Sequence, residues 1–117
     1  MTPLATYDSL ARLIDHPLVK PELTDEQVIE GLELAKRYGI ACVSVRPTDI
    51  DLAVRTLQGS AVKPGAVCGF PHGSQNTATK LYEARDMVRR GVSYRELRRV
   101  WWRCSATRGG IRRPRRA

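Results

Sequence analysis

The chain has 117 residues, 42% hydrophobic and 6% aromatic, with a formal net charge of +8. That length gives room for one ordinary domain. No apolar run reaches the roughly 18 residues of a membrane span, and no basic N-terminal region leads into an apolar stretch, so the pattern predicts neither a membrane segment nor a signal peptide and reads as cytoplasmic.

The charge is confined to one end. From Met1 to Gly91 eleven Lys and Arg balance eleven Asp and Glu, whereas Val92 to Ala117 carries nine Arg, Glu96 as its one acid and no Lys. We therefore expect two parts: residues 1–91 as a patterned domain, and residues 92–117 as a basic, disordered tail. With both Trp101 and Trp102 and the ending Arg112-Arg113-Pro114-Arg115-Arg116, that tail reads like GC-rich coding sequence translated out of frame.

Along the neutral part, Ser9 to Ile14 predicts a short helix or turn leading into Asp15, and Pro17 and Pro21 an extended loop. Thr24 opens a long helix: its hydroxyl can cap free amides while Gln27 reaches back, and Asp25 and Glu26 suit the positive end of the dipole. Val28, Leu32, Ala35 and Tyr38 make its apolar face, and Gly39 ends it. Ile40 to Val45, broken only by Ser44, predicts a strand covered on both faces in a parallel sheet. Thr48 or Asp49 should cap a second long helix that turns Ile50, Ala53 and Leu57 inward and stops at Gly59. Val62 and Ala66 to Cys68 predict the next strand, Gly69 to Gly73 a turn, and Thr77, Leu81, Ala84 and Val88 the inner face of a third long helix ending near Gly91. Three β-then-α units predict an α/β fold. A fourth strand is due after Gly91, yet Tyr94 to Arg99 holds three arginines, which a buried strand cannot carry unpaired. Cys42, Cys68 and Cys104 lack metal-ligand spacing, so Cys42 and Cys68 are expected to be small apolar strand residues, with no disulfide and no metal.

In barrels built of such units, chemistry sits where strands end and helices begin. The polar residues there are Asp15, Ser44 with Arg46, and His72. Asp15 would present a carboxylate to the barrel mouth, although the same residue serves equally as a turn or cap. His72, between Pro71 and Gly73, is a rim candidate whose neutral-range pKa makes it usable without making it used.

Leu10-Ala11-Arg12-Leu13-Ile14-Asp15-His16-Pro17-Leu18-Val19-Lys20-Pro21 followed by a Thr-capped helix, Val45-Arg46-Pro47, Gly69-Phe70-Pro71-His72-Gly73 and Glu83-Ala84-Arg85 together resemble the N-terminal part of deoxyribose-phosphate aldolases, over about residues 9–92. The resemblance implies the first three β/α units of a TIM (β/α)8 barrel and a class I, Schiff-base aldolase using no cofactor. Such an enzyme cleaves 2-deoxy-D-ribose 5-phosphate, a small phosphorylated sugar, to acetaldehyde and glyceraldehyde 3-phosphate in deoxyribonucleoside catabolism. It implies Asp15 as the best-matched catalytic carboxylate and Ser44, Arg46 and His72 as rim residues. Pro17 stands where the family usually has Thr, and Ser44 where it often has Cys. The family's imine-forming lysine lies on the sixth strand and its phosphate loops on the seventh and eighth. None of Lys20, Lys36, Lys63 or Lys80 matches that lysine, and all four are expected to be solvated. On ungapped counting the family's fourth-strand aspartate falls at Glu96, where the surrounding strand pattern is missing and a carboxylate is expected to be coincidental. The expectation is therefore a truncated or frameshifted aldolase, inactive alone. The alternative is a protein that grips nucleic acid non-specifically through its basic, tryptophan-bearing tail.

Overall fold

The computed structural model describes residues 6–93 and 96–97. Thr6 caps a short helix, α1 (Tyr7–Ala11). The longer α2 (Asp25–Tyr38) starts as its sequence dictates. Thr24 Oγ1 accepts from the Gln27 amide at 3.3 Å and Gln27 Oε1 from the Thr24 amide at 2.9 Å, so two otherwise orphaned donors are satisfied reciprocally. Lys36 and Arg37 fall in its last turn, where the dipole favours cations, and Gly39 closes it.

Three parallel strands, β1 (Asp15–Leu18), β2 (Cys42–Val45) and β3 (Lys63–Ala66), lie side by side in chain order, with Asp15 opposite Cys42 and Cys42 opposite Lys63. A 3-10 turn (Pro47–Asp49) leads from β2 into α3 (Ile50–Leu57), and α4 (Thr77–Arg89) follows β3. Because side chains alternate along a strand, Leu18, Val43, Val45 and Ala66 share one face. They are buried in the core with Val28 and Leu32 of α2, Ile50 and Ala53 of α3, and Met87 of α4. The other face carries Asp15 and Pro17, Cys42 and Ser44, and Gly65. The close packing of α2 on β1 depends on Gly31, where an added Cβ would lie 2.6 Å from Leu18 Cδ2. Each large core side chain removed from water contributes about 1.5–3 kcal/mol.

Several expectations are corrected. Pro17, expected in a loop, lies within β1, whose ladder tolerates it because a proline can sit where its missing amide has no partner. Asp49 stands at the N-terminus of α3 but makes no side-chain cap; its carboxylate is taken by Arg46 Nε at 2.5 Å. The third strand ends at Ala66, so Cys68 is buried just beyond it. Tyr38 is half-exposed. The predicted inner face of α4 holds at Ala84, which packs against the core, but Leu81 and Val88 are 45% and 40% exposed and Met87 is fully buried instead. Polar anchors set that rotation. Arg90 bonds the Pro47 carbonyl at 2.8 Å and Asp51 at 3.1 and 3.2 Å, while Glu83 and Lys80 bond the loop after β3. The arginine-rich segment from residue 98 onward, with the tail properties expected of it, lies outside the described residues.

Candidate functional site

The face of the sheet turned away from the helices gathers polar groups. Asp15 and Ser44 come from neighbouring strands, Ser44 facing Pro17 in the register, and the Ser44 hydroxyl donates to Asp15 Oδ1 at 2.9 Å. Cys42 lies two residues before Ser44 on the same face, and Gly65 of β3 leaves it room: a Cβ there would come within 2.8 Å of Cys42 Sγ. Glu96 also reaches this cluster. It is 8% exposed and sits in a helical turn whose amide bonds the Ser93 carbonyl at 3.0 Å and the Ser93 hydroxyl at 3.2 Å. Its carboxylate pairs with the Cys42 thiol. Glu96, which ungapped counting places at the family's fourth-strand aspartate, therefore lies beside this cluster, while residues 94, 95, 98 and 99 of the same segment lie outside the described residues.

Burial raises the Cys42 thiol well above its ordinary value near 9, and the negative Asp15 and Glu96 push it the same way. Thiolate, the nucleophilic form, is therefore suppressed there, and the cluster supplies carboxylates and a hydroxyl but no sulfur nucleophile. Iodoacetamide at mildly alkaline pH should leave Cys42 unmodified in the native chain and modify it fully after denaturation, as read by peptide mapping. The raised folded-state value also means that this group's contribution to stability is complete below its unfolded value and declines as pH climbs past about 9.

At the carboxyl ends of the strands a cleft of about 500 Å³ opens, bounded by Lys20, Arg46, Phe70, Pro71 and Glu83 among others. Arg46 is already committed within it. Besides Asp49, its guanidinium donates to the Pro21 carbonyl at 2.9 Å and the Lys20 carbonyl at 3.5 Å, tying the loop after β1 to the turn after β2. The Asp49 carboxylate raises the arginine further, so it stays a fixed cation. The Gly69–Gly73 loop is buckled to α4: Glu83 accepts from the Gly69 amide at 2.8 Å and the Lys80 ammonium donates to the Gly73 carbonyl at 2.7 Å. His72 is exposed on that loop. The structure thus joins Asp15 and Ser44 directly, but at the opening residue of β1, level with Cys42 and Lys63 and away from the cleft, so Asp15 does not stand at the mouth as expected; it places Arg46 at the mouth as a loop clamp and sets His72 on the outer rim. Of the four lysines, Lys20 and Lys63 are exposed, Lys36 pairs with Glu33 at 3.5 Å, and Lys80 is half-buried in the loop contact, against the expectation that all four would be solvated. Among the described residues no three His, Cys, Asp or Glu side chains are grouped to hold a metal ion.

Parallel strands in chain order, each leading into a helix, with polar groups on the helix-free face and a cleft at the strand ends, define a partial parallel α/β fold. Over its N-terminal part the chain is similar to deoxyribose-phosphate aldolases. It is 43% identical over 84 residues to the deoxyribose-phosphate aldolase of Clostridium kluyveri, a match covering 72% of this chain and 38% of that one. A solved structure assigned as a deoxyribose-phosphate aldolase of Coccidioides immitis superposes with a TM-score of 0.73 at 36% identity, over 79% of this chain and 36% of that one. The deoxyribose phosphate aldolase of Aeropyrum pernix, whose structure is tetrameric, gives 0.72 at 25% identity, over 88% and 50%. The chain thus spans about 38% of the length of the curated relatives it matches. No protein-family model matches it. Among the described residues no helix is long and apolar enough to cross a membrane.

Proposed function

We propose that residues 9–93 form the opening β/α units of a Schiff-base aldolase acting on 2-deoxy-D-ribose 5-phosphate, and that these 117 residues do not carry out the reaction by themselves. The observation that carries the reading is the Asp15–Ser44 hydrogen bond on the helix-free face, with Glu96 on the same cluster through Cys42. In aldol cleavage a carboxylate so held can accept or return a proton through an ordered hydroxyl or water. Arg46 and the buckled Gly69–Gly73 loop keep the cleft shaped over the strand ends. The reaction also needs an amine that is neutral at working pH, made so by burial and a neighbouring cation. The exposed Lys20 and Lys63, the Glu33-paired Lys36 and the carbonyl-bonded Lys80 do not meet that requirement. In this reading the ligand is a small phosphorylated sugar, and the residues that complete the barrel are the source of the imine lysine.

A chimaera tests the scaffold half of the proposal. Residues 9–93 would replace the matching part of the Clostridium kluyveri enzyme, with release of acetaldehyde from 2-deoxy-D-ribose 5-phosphate followed by a coupled assay. The soluble chimaera should cleave the sugar phosphate, and Asp15→Asn should lower kcat by about a hundredfold or more, the usual worth of a positioned proton-transfer group. A folded chimaera without cleavage, or one indifferent to Asp15→Asn, would refute the assignment.

A further inference from the structure

Two carboxylates reach the helix-free face from distant parts of the chain, and both meet β2 there. Alternate residues of a strand share a face, so Cys42 and Ser44 serve that face together. Both are buried, at 2% and 4% exposure. Ser44 donates to Asp15 Oδ1 at 2.9 Å, 29 positions back in the chain, and Cys42 is hydrogen-bonded to Glu96. A hydroxyl carries one proton, and Asp15 takes that of Ser44. The thiol, which burial keeps protonated, has its own proton to give, and a carboxylate is the strongest acceptor within its reach. Nothing else in the row competes for the hydroxyl: Pro17 stands opposite Ser44 on one side without a donor, and Gly65 on the other without a side chain. Gly65 is itself required, since a Cβ there would lie 2.8 Å from Cys42 Sγ and 3.4 Å from Ser44 Oγ, displacing the thiol first. The arrangement is compatible with a closed barrel, in which alternate strands fill the same interior layer, so that Cys42 of β2 and a residue beyond β3 meet across Gly65.

We propose that Cys42 and Ser44 are positioning residues that divide the work, Ser44 holding the carboxylate of Asp15 and Cys42 that of Glu96. What the carboxylates do rests on the aldolase reading above; what holds them rests on the geometry of β2. Two like charges on one face repel each other, and a separate buried donor for each keeps both in place. Asp15 has most to lose, because its residue is exposed and an unbonded side chain there is free to turn into solvent. Such alignment matters to proton transfer, where a displacement of about 1 Å costs on the order of a hundredfold in rate. The division has a signature that simple packing lacks: removing one donor releases one carboxylate and leaves the other where it was.

The test is nuclear magnetic resonance on the full chain, labelled with carbon-13 at the side-chain carboxyls of Asp and Glu. Ser44→Ala should shift the Asp15 carboxyl resonance and leave that of Glu96 in place, and Cys42→Ala should do the reverse. Cys42→Ser, which restores a donor, should bring the Glu96 resonance back toward its original position. Gly65→Ala, which crowds the thiol, should act like Cys42→Ala. Both resonances moving together in every variant, or neither moving, would overturn the proposal. The unaltered chain gives a reading that needs no variant: through-space contacts from Ser44 Hβ to Asp15 Hβ and from Cys42 Hβ to Glu96 Hγ should be present, and their absence would refute the pairing. In the chimaera, which carries Asp15 and Ser44, Ser44→Ala should lower kcat roughly tenfold or more at unchanged KM, the worth of one hydrogen bond to a charged group, and Ser44→Thr should recover part of the loss. Crossed resonance shifts without that loss would overturn the positioning role and leave the aldolase reading intact. A folded chimaera that cleaves nothing would refute the aldolase reading and the role with it.

Discussion

Treated with 2-deoxy-D-ribose 5-phosphate or acetaldehyde and then with borohydride, the chain should keep its unmodified mass. Borohydride captures an imine as a stable secondary amine, so the experiment reads the first covalent step without requiring turnover. The expectation rests on where the lysines are. Lys63 begins β3 at the end of the sheet opposite the cleft and is exposed. Lys36 lies on α2, paired with Glu33 on the helix surface. Lys80 comes nearest to a built environment, yet its ammonium donates to the Gly73 carbonyl at 2.7 Å and holds the loop in place. Lys20 borders the cleft but is exposed. A stoichiometric adduct at Lys80 or Lys20, located by peptide mapping, would overturn the proposal that this chain cannot form the imine. The same measurement on the chimaera should yield an adduct on a lysine supplied by the Clostridium part.

Leu32→Ala should cost about 2–5 kcal/mol, because the side chain is fully buried between α2 and the sheet and its loss leaves a cavity. For a short chain whose helix-free sheet face is only partly covered, that is a large share of the total stability. The readout is hydrogen exchange at the β2 amides, which open only when the centre of the sheet opens. Protection there should drop roughly thirtyfold or more. Leu34→Ala, two positions along the same helix, is the control. Leu34 is 42% exposed, so its replacement should change protection by no more than about 0.5 kcal/mol. Equal losses in the two variants would mean that α2 does not pack on the sheet through the face assigned to it.

What could be read from the sequence was whatever depends on near neighbours in the chain. The Thr24–Gln27 box, the α2 positions Val28, Leu32 and Ala35, the apolar run that became β2, and the inward Ile50, Ala53 and Leu57 of α3 were all legible, because caps and periodicity act within a turn or two. The family was legible for a related reason: its motifs are short loops at fixed distances. The rotation of α4 was not. Two apolar stripes compete on that helix, and Arg90, Glu83 and Lys80 choose Met87 over Leu81 and Val88 by bonding groups up to 43 positions away. Nor could the sequence say that Asp49 would abandon its helix cap for Arg46, that Pro17 would enter a strand, or that Glu96, outside any strand pattern, would meet Cys42 beside Asp15. The amino-acid order by itself determined the local elements, the family and the supply of candidate residues. The tertiary structure alone decided which carboxylates share a site and which face of each helix turns inward, since those depend on long-range register and desolvation that no local pattern encodes.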